Sequence, residues 1–85
     1  MPKVVIYTSG HCPYCHRAKE LLRAKGVAYD EVDLTGRPQE RDALCQRAGG
    51  RNTVPQIWIG SAHIGGCDDL HCLDRDGRLD AMLGT

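Results

Sequence analysis

The stretch from Lys3 to Leu34 restricts the fold more than any other feature of this chain. Lys3 to Thr8 is apolar and β-branched without alternation, the pattern of a strand covered on both faces. Ser9-Gly10-His11 is a short loop. From Pro13 to Lys25, Cys15, Ala18, Leu21 and Leu22 fall near one side while Arg17, Glu20 and Arg23 point elsewhere, which predicts an amphipathic helix. Pro13 suits its first position and Gly26 the position just past its end. Ala28 to Leu34 predicts a second strand. The unit is β-α-β at about its minimum length, so the two strands should be parallel and the crossover right-handed.

The rest of the chain extends this pattern. Arg37 to Ala48 predicts a second helix, with Leu44, Cys45 and Ala48 as its apolar stripe and Gly49-Gly50 as its stop. Val54 to Ile59 and Ala62 to Ile64 predict two short strands joined by a tight turn at Gly60-Ser61. After Gly65-Gly66, Cys67 to Asp74 predicts a third helix, with Asp68 and Asp69 at its positive end. Leu79, Met82 and Leu83 predict a short final helix. The order β-α-β-α-β-β-α predicts an α/β chain with a four-stranded mixed sheet and helices on both faces. At 85 residues, one domain spanning 1–85 is expected.

Charge and hydropathy exclude several classes of function. Eleven basic and eleven acidic residues cancel, so no basic field for nucleic acid is expected. The run Val4-Val5-Ile6-Tyr7 is far short of the ~20 apolar residues of a membrane helix, and no export signal is expected. Five cysteines are the unusual feature. With a reducing cytoplasmic location expected, paired cysteines point to catalysis or metal binding before structural staples.

Cys12-Pro13-Tyr14-Cys15 stands where a buried strand gives way to a helix. Unpaired backbone N–H groups and partial positive charge gather at a helix start. An anionic thiolate at Cys12 is favoured there. Arg17, Lys19, Arg23 and Lys25, against Glu20 alone, add to the same effect. Cys15, three residues on, returns to the same side and should lie deeper. The pair therefore reads as an attacking thiol and a resolving thiol. The alternative is a metal site completed by Cys67 and Cys72, whose spacing falls within the range of zinc ligands. Regular structure across the long gap between the pairs weighs against it, and no metal is expected.

On Cys12-Pro13-Tyr14-Cys15 after a strand, Thr53-Val54-Pro55-Gln56, and Gly65-Gly66-Cys67-Asp68-Asp69, the chain resembles a glutaredoxin of the small bacterial dithiol type over essentially its whole length. The resemblance implies a thioredoxin-like fold and a glutathione-dependent thiol–disulfide oxidoreductase, with Cys12 and Cys15 catalytic and glutathione as co-substrate. It also implies a cis Pro55 facing the site, and strand-like pairing of the Val54 backbone with the cysteinyl part of glutathione. Thr53 would shape the same groove, and Tyr14 would pack beside the tripeptide. Free N–H groups at Cys67 and Asp68 suit the γ-glutamyl carboxylate, and Asp68 or Asp69 suits the ammonium. Arg41 is the candidate for the glycyl carboxylate. Related proteins often carry Lys where this chain has Ser9, so weaker binding of glutathione, or a larger share for Arg41, is expected. Partners implied are disulfide-containing or glutathionylated proteins, with the chain a monomer.

Two rival functions follow from the same residues: a dimer bridging an iron–sulfur cluster, and a thioredoxin-like reductant recharged by a flavoprotein. Pro13-Tyr14 speaks against the first, and the groove motifs against the second. Cys45 is expected as a small core residue, Cys72 as partly exposed, His11 as a solvated loop residue and Trp58 as sheet packing. His63 and His71 have no partner visible in the sequence.

Overall fold

The computed structural model describes residues 2–84. Its elements are β1 (Val4–Thr8), α1 (Pro13–Ala24), β2 (Asp30–Asp33), α2 (Pro38–Arg47), β3 (Gln56–Ile59), β4 (Ala62–Gly65), α3 (Cys67–Arg75) and α4 (Leu79–Leu83). The strands form one mixed sheet in the order β2-β1-β3-β4. β1 is parallel to β2, with Val5 opposite Asp30, and antiparallel to β3, with Ile6 opposite Ile57. β4 returns antiparallel to β3 and sets His63 opposite Trp58. This is the expected thioredoxin-like arrangement, with the expected short final helix present as α4.

Alternation along β1 and β3 divides the core between the two faces of the sheet. Val4, Ile6, Ile57 and Ile59 pack with Ala18 and Leu22 of α1, Leu70 of α3, and Leu79 and Leu83 of α4. Trp58 points the other way, to Leu34 and to Leu44 and Ala48 at α2, with Tyr7 and Val32 against them. Each fully buried Leu or Ile contributes about 1.5–3 kcal/mol. Lys25 joins the end of α1 to the later helices through Asp74 at 2.6 Å and Asp80 at 2.9 Å.

Several elements depart from the expected bounds for local physical reasons. β2 is shorter than Ala28 to Leu34, and Asp30, Glu31 and Asp33 are exposed, because it is an edge strand. β3 begins at Gln56, not Val54. Pro55 has no N–H for the ladder, and the Val54–Pro55 peptide is cis. Cys45 is half-buried rather than in the core. One residue beyond Leu44, it is turned about 100° around the helix axis, and Leu44 is the buried residue of α2.

Candidate active site

The end of β1 delivers the chain to Cys12, which caps α1 with extended backbone angles, φ −126° and ψ 105°, ahead of Pro13. Cys12 Sγ accepts the Cys15 backbone N–H at 3.3 Å, giving a partner to one donor that the helix leaves unpaired. The Val54 carbonyl lies 3.7 Å from the same sulfur and accepts its thiol hydrogen. Cys15 is 3% exposed. Burial first, then its hydrogen bond with Cys12, pushes the Cys15 thiol up to about 12. At neutral pH Cys15 therefore keeps its proton, while Cys12 is only half-buried. The two sulfurs differ in access, and the buried one is the one held protonated, as suits a resolving thiol beside an attacking one.

Beside this pair is a cavity of about 270 Å³. Tyr14 of α1, Thr53, Val54 and Pro55 before β3, and Cys67, Asp68 and Asp69 of α3 all line it. These are seven of the eight residues expected to contact glutathione. Arg41 is outside the lining. Its Nε donates to Asn52 Oδ1 at 3.3 Å and its Nη2 to the Asn52 carbonyl at 3.4 Å, so it braces the residue immediately before Thr53.

The start of α3 shapes the far wall. Asp69 Oδ2 accepts the Gly66 N–H at 2.9 Å and an Arg51 N–H at 3.1 Å. The Gly66 bond foremost, with Arg51 assisting, holds the Asp69 carboxyl below its ordinary range. Gly65 has φ +112°, and a Cβ there would run into Asp69 Oδ2 and come within 2.6 Å of Arg51 Nη1. Only glycine fits that approach without rearrangement. The first intrahelical bond runs from Leu70 to Gly66 at 3.1 Å. The N–H groups of Cys67 and Asp68 precede it and have no helix carbonyl to meet. A carboxylate is the natural ligand for such a pair at a positive helix end.

The remaining cysteines and histidines are separated. Cys67 is buried, and burial pushes its thiol up. His71 Nδ1 lies 2.9 Å from the Cys67 carbonyl and 3.4 Å from its sulfur. Cys72 is exposed, and Arg75 donates to its sulfur at 3.2 Å. Among the described residues, no group of three or more His, Cys, Asp or Glu side chains is placed to hold a metal ion. No helix there is long and apolar enough to cross a membrane.

Three residues near the cavity escaped the sequence reading. Arg51 lines it directly, but a loop arginine carries no periodic signal. Gln56 is wholly buried and His63 is its partner. A polar residue ahead of Ile57-Trp58-Ile59 in a buried strand was the available sign.

Comparison with known proteins agrees with this geometry. The glutaredoxin family model matches residues 4–64. A glutaredoxin of Pseudomonas aeruginosa is 59% identical over 85 residues, covering 100% of both chains. Glutaredoxin 3 of Escherichia coli K12 is 53% identical over 83 residues, 98% of this chain and 99% of that one. The crystal structure of a buckwheat glutaredoxin–glutathione complex superposes with a TM-score of 0.90 at 36% identity, over 98% of this chain and 77% of that one. The solution structure of a Brucella melitensis glutaredoxin gives 0.87 at 52% identity, over 98% and 89%. A dithiol at a helix start, a cis proline opposite it and a family match across most of the chain lead to one conclusion: this chain belongs to the glutaredoxin family.

Proposed function

We propose that the chain is a single-domain, glutathione-dependent thiol–disulfide oxidoreductase working through Cys12 and Cys15. The observation that carries this reading is the asymmetry of the two sulfurs beside the cavity: Cys12 half-buried at the helix start, Cys15 buried and protonated. Cys12 thiolate attacks a disulfide sulfur of a glutathionylated protein. The Cys12–glutathione disulfide forms, and the protein cysteine leaves as its thiolate. A second glutathione thiolate then attacks the glutathionyl sulfur, releasing oxidised glutathione and regenerating Cys12 thiolate. With a protein disulfide, Cys12 forms a mixed disulfide with one substrate cysteine. Cys15 loses its proton and attacks Cys12 Sγ, releasing the protein dithiol and leaving a Cys12–Cys15 disulfide. Two glutathiones then reduce that bond.

The cavity supplies binding. The backbone of Val54 pairs with the cysteinyl residue, and Tyr14, Thr53 and Pro55 frame it. The N–H groups of Cys67 and Asp68 receive the γ-glutamyl carboxylate. Its ammonium meets Asp68, or the Asp69 oxygen that the cap does not use. Arg41 meets the glycyl carboxylate at the Asn52 edge. Partners are proteins bearing accessible disulfides or glutathionylated cysteines, in the cytoplasm, with the chain a monomer. Mass spectrometry of Cys15→Ser treated with oxidised glutathione tests the reading. The expected adduct is one glutathione on Cys12; an unmodified Cys12 with modification elsewhere refutes it.

A further inference from the structure

Gln56 has a side chain with no exposed surface, in a strand that continues as Ile57-Trp58-Ile59. A buried carboxamide is costly unless each end is paired. Here both ends are. Gln56 Nε2 donates to the Thr53 carbonyl at 3.0 Å and to Thr53 Oγ1 at 3.1 Å, and Gln56 Oε1 is 2.7 Å from His63 Nε2.

The chemistry of these groups fixes the direction of every bond. A carbonyl only accepts, so the NH₂ of Gln56 faces Thr53 and its oxygen faces His63. That oxygen also only accepts, so His63 Nε2 carries the hydrogen. The His63 ring stacks on Trp58, with centroids 4.4 Å apart at 25°. Burial and the neighbouring Arg51 and Arg47 hold its pKa below the ordinary value, against Asp69, so the neutral ring has this one N–H. At the other end, Thr53 Oγ1 is already an acceptor. Its own hydrogen remains to be donated, and Thr53 lines the cavity.

We propose that Gln56 and His63 are positioning residues that present the Thr53 hydroxyl as a donor to an acceptor oxygen of bound glutathione. The bonds run in one sense, His63 to Gln56 to Thr53 to ligand, and such chains strengthen each member. The inference rests on the reading that glutathione occupies this cavity.

The test is steady-state kinetics with glutathione as the varied substrate. His63→Phe keeps an aromatic ring against Trp58 and removes the donor. Its KM for glutathione should rise about fivefold, the worth of one net hydrogen bond, with kcat moving less than about twofold. His63→Gln, which restores an N–H donor, should recover most of the loss. Thr53→Val should raise KM comparably, and adding His63→Phe to it should cost little more. An unmoved KM in His63→Phe, or full additivity in the double variant, overturns the inference. Wild-type protein lacking glutathione-dependent turnover would instead overturn the reading of the cavity. Long-range proton–nitrogen NMR of His63 gives a readout independent of activity: Nε2–H is expected, and Nδ1–H refutes the arrangement.

Discussion

Resolution of a mixed disulfide by Cys15 should accelerate with pH by about tenfold per unit across roughly pH 6 to 8, because only the thiolate attacks. With the Cys15 thiol pushed up to about 12, about one molecule in 10⁵ carries the thiolate at pH 7. A raised pKa means that the reactive form appears as pH rises and is scarce below. When Cys12 becomes half of a disulfide, its hydrogen bond and charge no longer act on Cys15. Burial, the largest cause, persists and keeps the thiol protonated across this window. The assay is stopped-flow reaction with an aromatic disulfide whose thiolate absorbs, in a Cys45→Ser/Cys72→Ser background. The first chromophore reports attack by Cys12 and the second reports resolution by Cys15. Cys15→Ser should abolish the second phase and leave the first. A second phase that is flat in pH, or that survives in Cys15→Ser, refutes the assignment.

Other substitutions probe the wall of the cavity. Gly65→Ala should cost roughly 1–3 kcal/mol in urea unfolding, from the left-handed φ and the approach of Asp69; an unchanged midpoint contradicts the close packing there. Asp69→Asn keeps an acceptor for the Gly66 N–H but removes the charge at the start of α3 and beside Arg51, and should cost about 0.3–1 kcal/mol. Because the folded-state pKa of Asp69 is lowered, that difference should be full above its unfolded pKa of about 4 and fade as pH falls through the folded value. Thermal unfolding at pH 7 and pH 3 checks it, and a difference that grows in acid has the wrong sign. Arg41→Gln should raise KM for glutathione by about twofold to tenfold, less at high salt, as expected for a partly screened charge contact. No change in either condition removes Arg41 from the binding site.

The sheet and the dithiol were legible in the sequence because both rest on local chemistry. Pro13 and Gly26 bracket α1, and alternation along β3 sends Ile57 and Ile59 to one face and Trp58 to the other. The cavity wall was legible only through motifs. Thr53-Val54-Pro55 and Cys67-Asp68-Asp69 are 14 residues apart from Thr53 to Cys67, and no periodicity places them together. Family resemblance, not spacing, joined them, and in the structure both segments line one cavity. Arg51 and His63 were illegible for the same reason: their partners Asp69 and Gln56 meet them only after the hairpin closes. Cys45 was misread because a helical stripe has a width, and sheet contact selects Leu44 and Ala48 from it.

The central claim is that glutathione-dependent exchange passes through the sulfur at the start of α1. The most direct measurement is turnover of a glutathionylated peptide, coupled to glutathione reductase and nicotinamide oxidation, for wild type, Cys12→Ser and Cys15→Ser. Wild type should turn over in proportion to glutathione at low concentration. Cys15→Ser should retain that turnover, since glutathione itself releases Cys12, and Cys12→Ser should have none. Activity in Cys12→Ser, or equal loss from the two substitutions, would contradict the account.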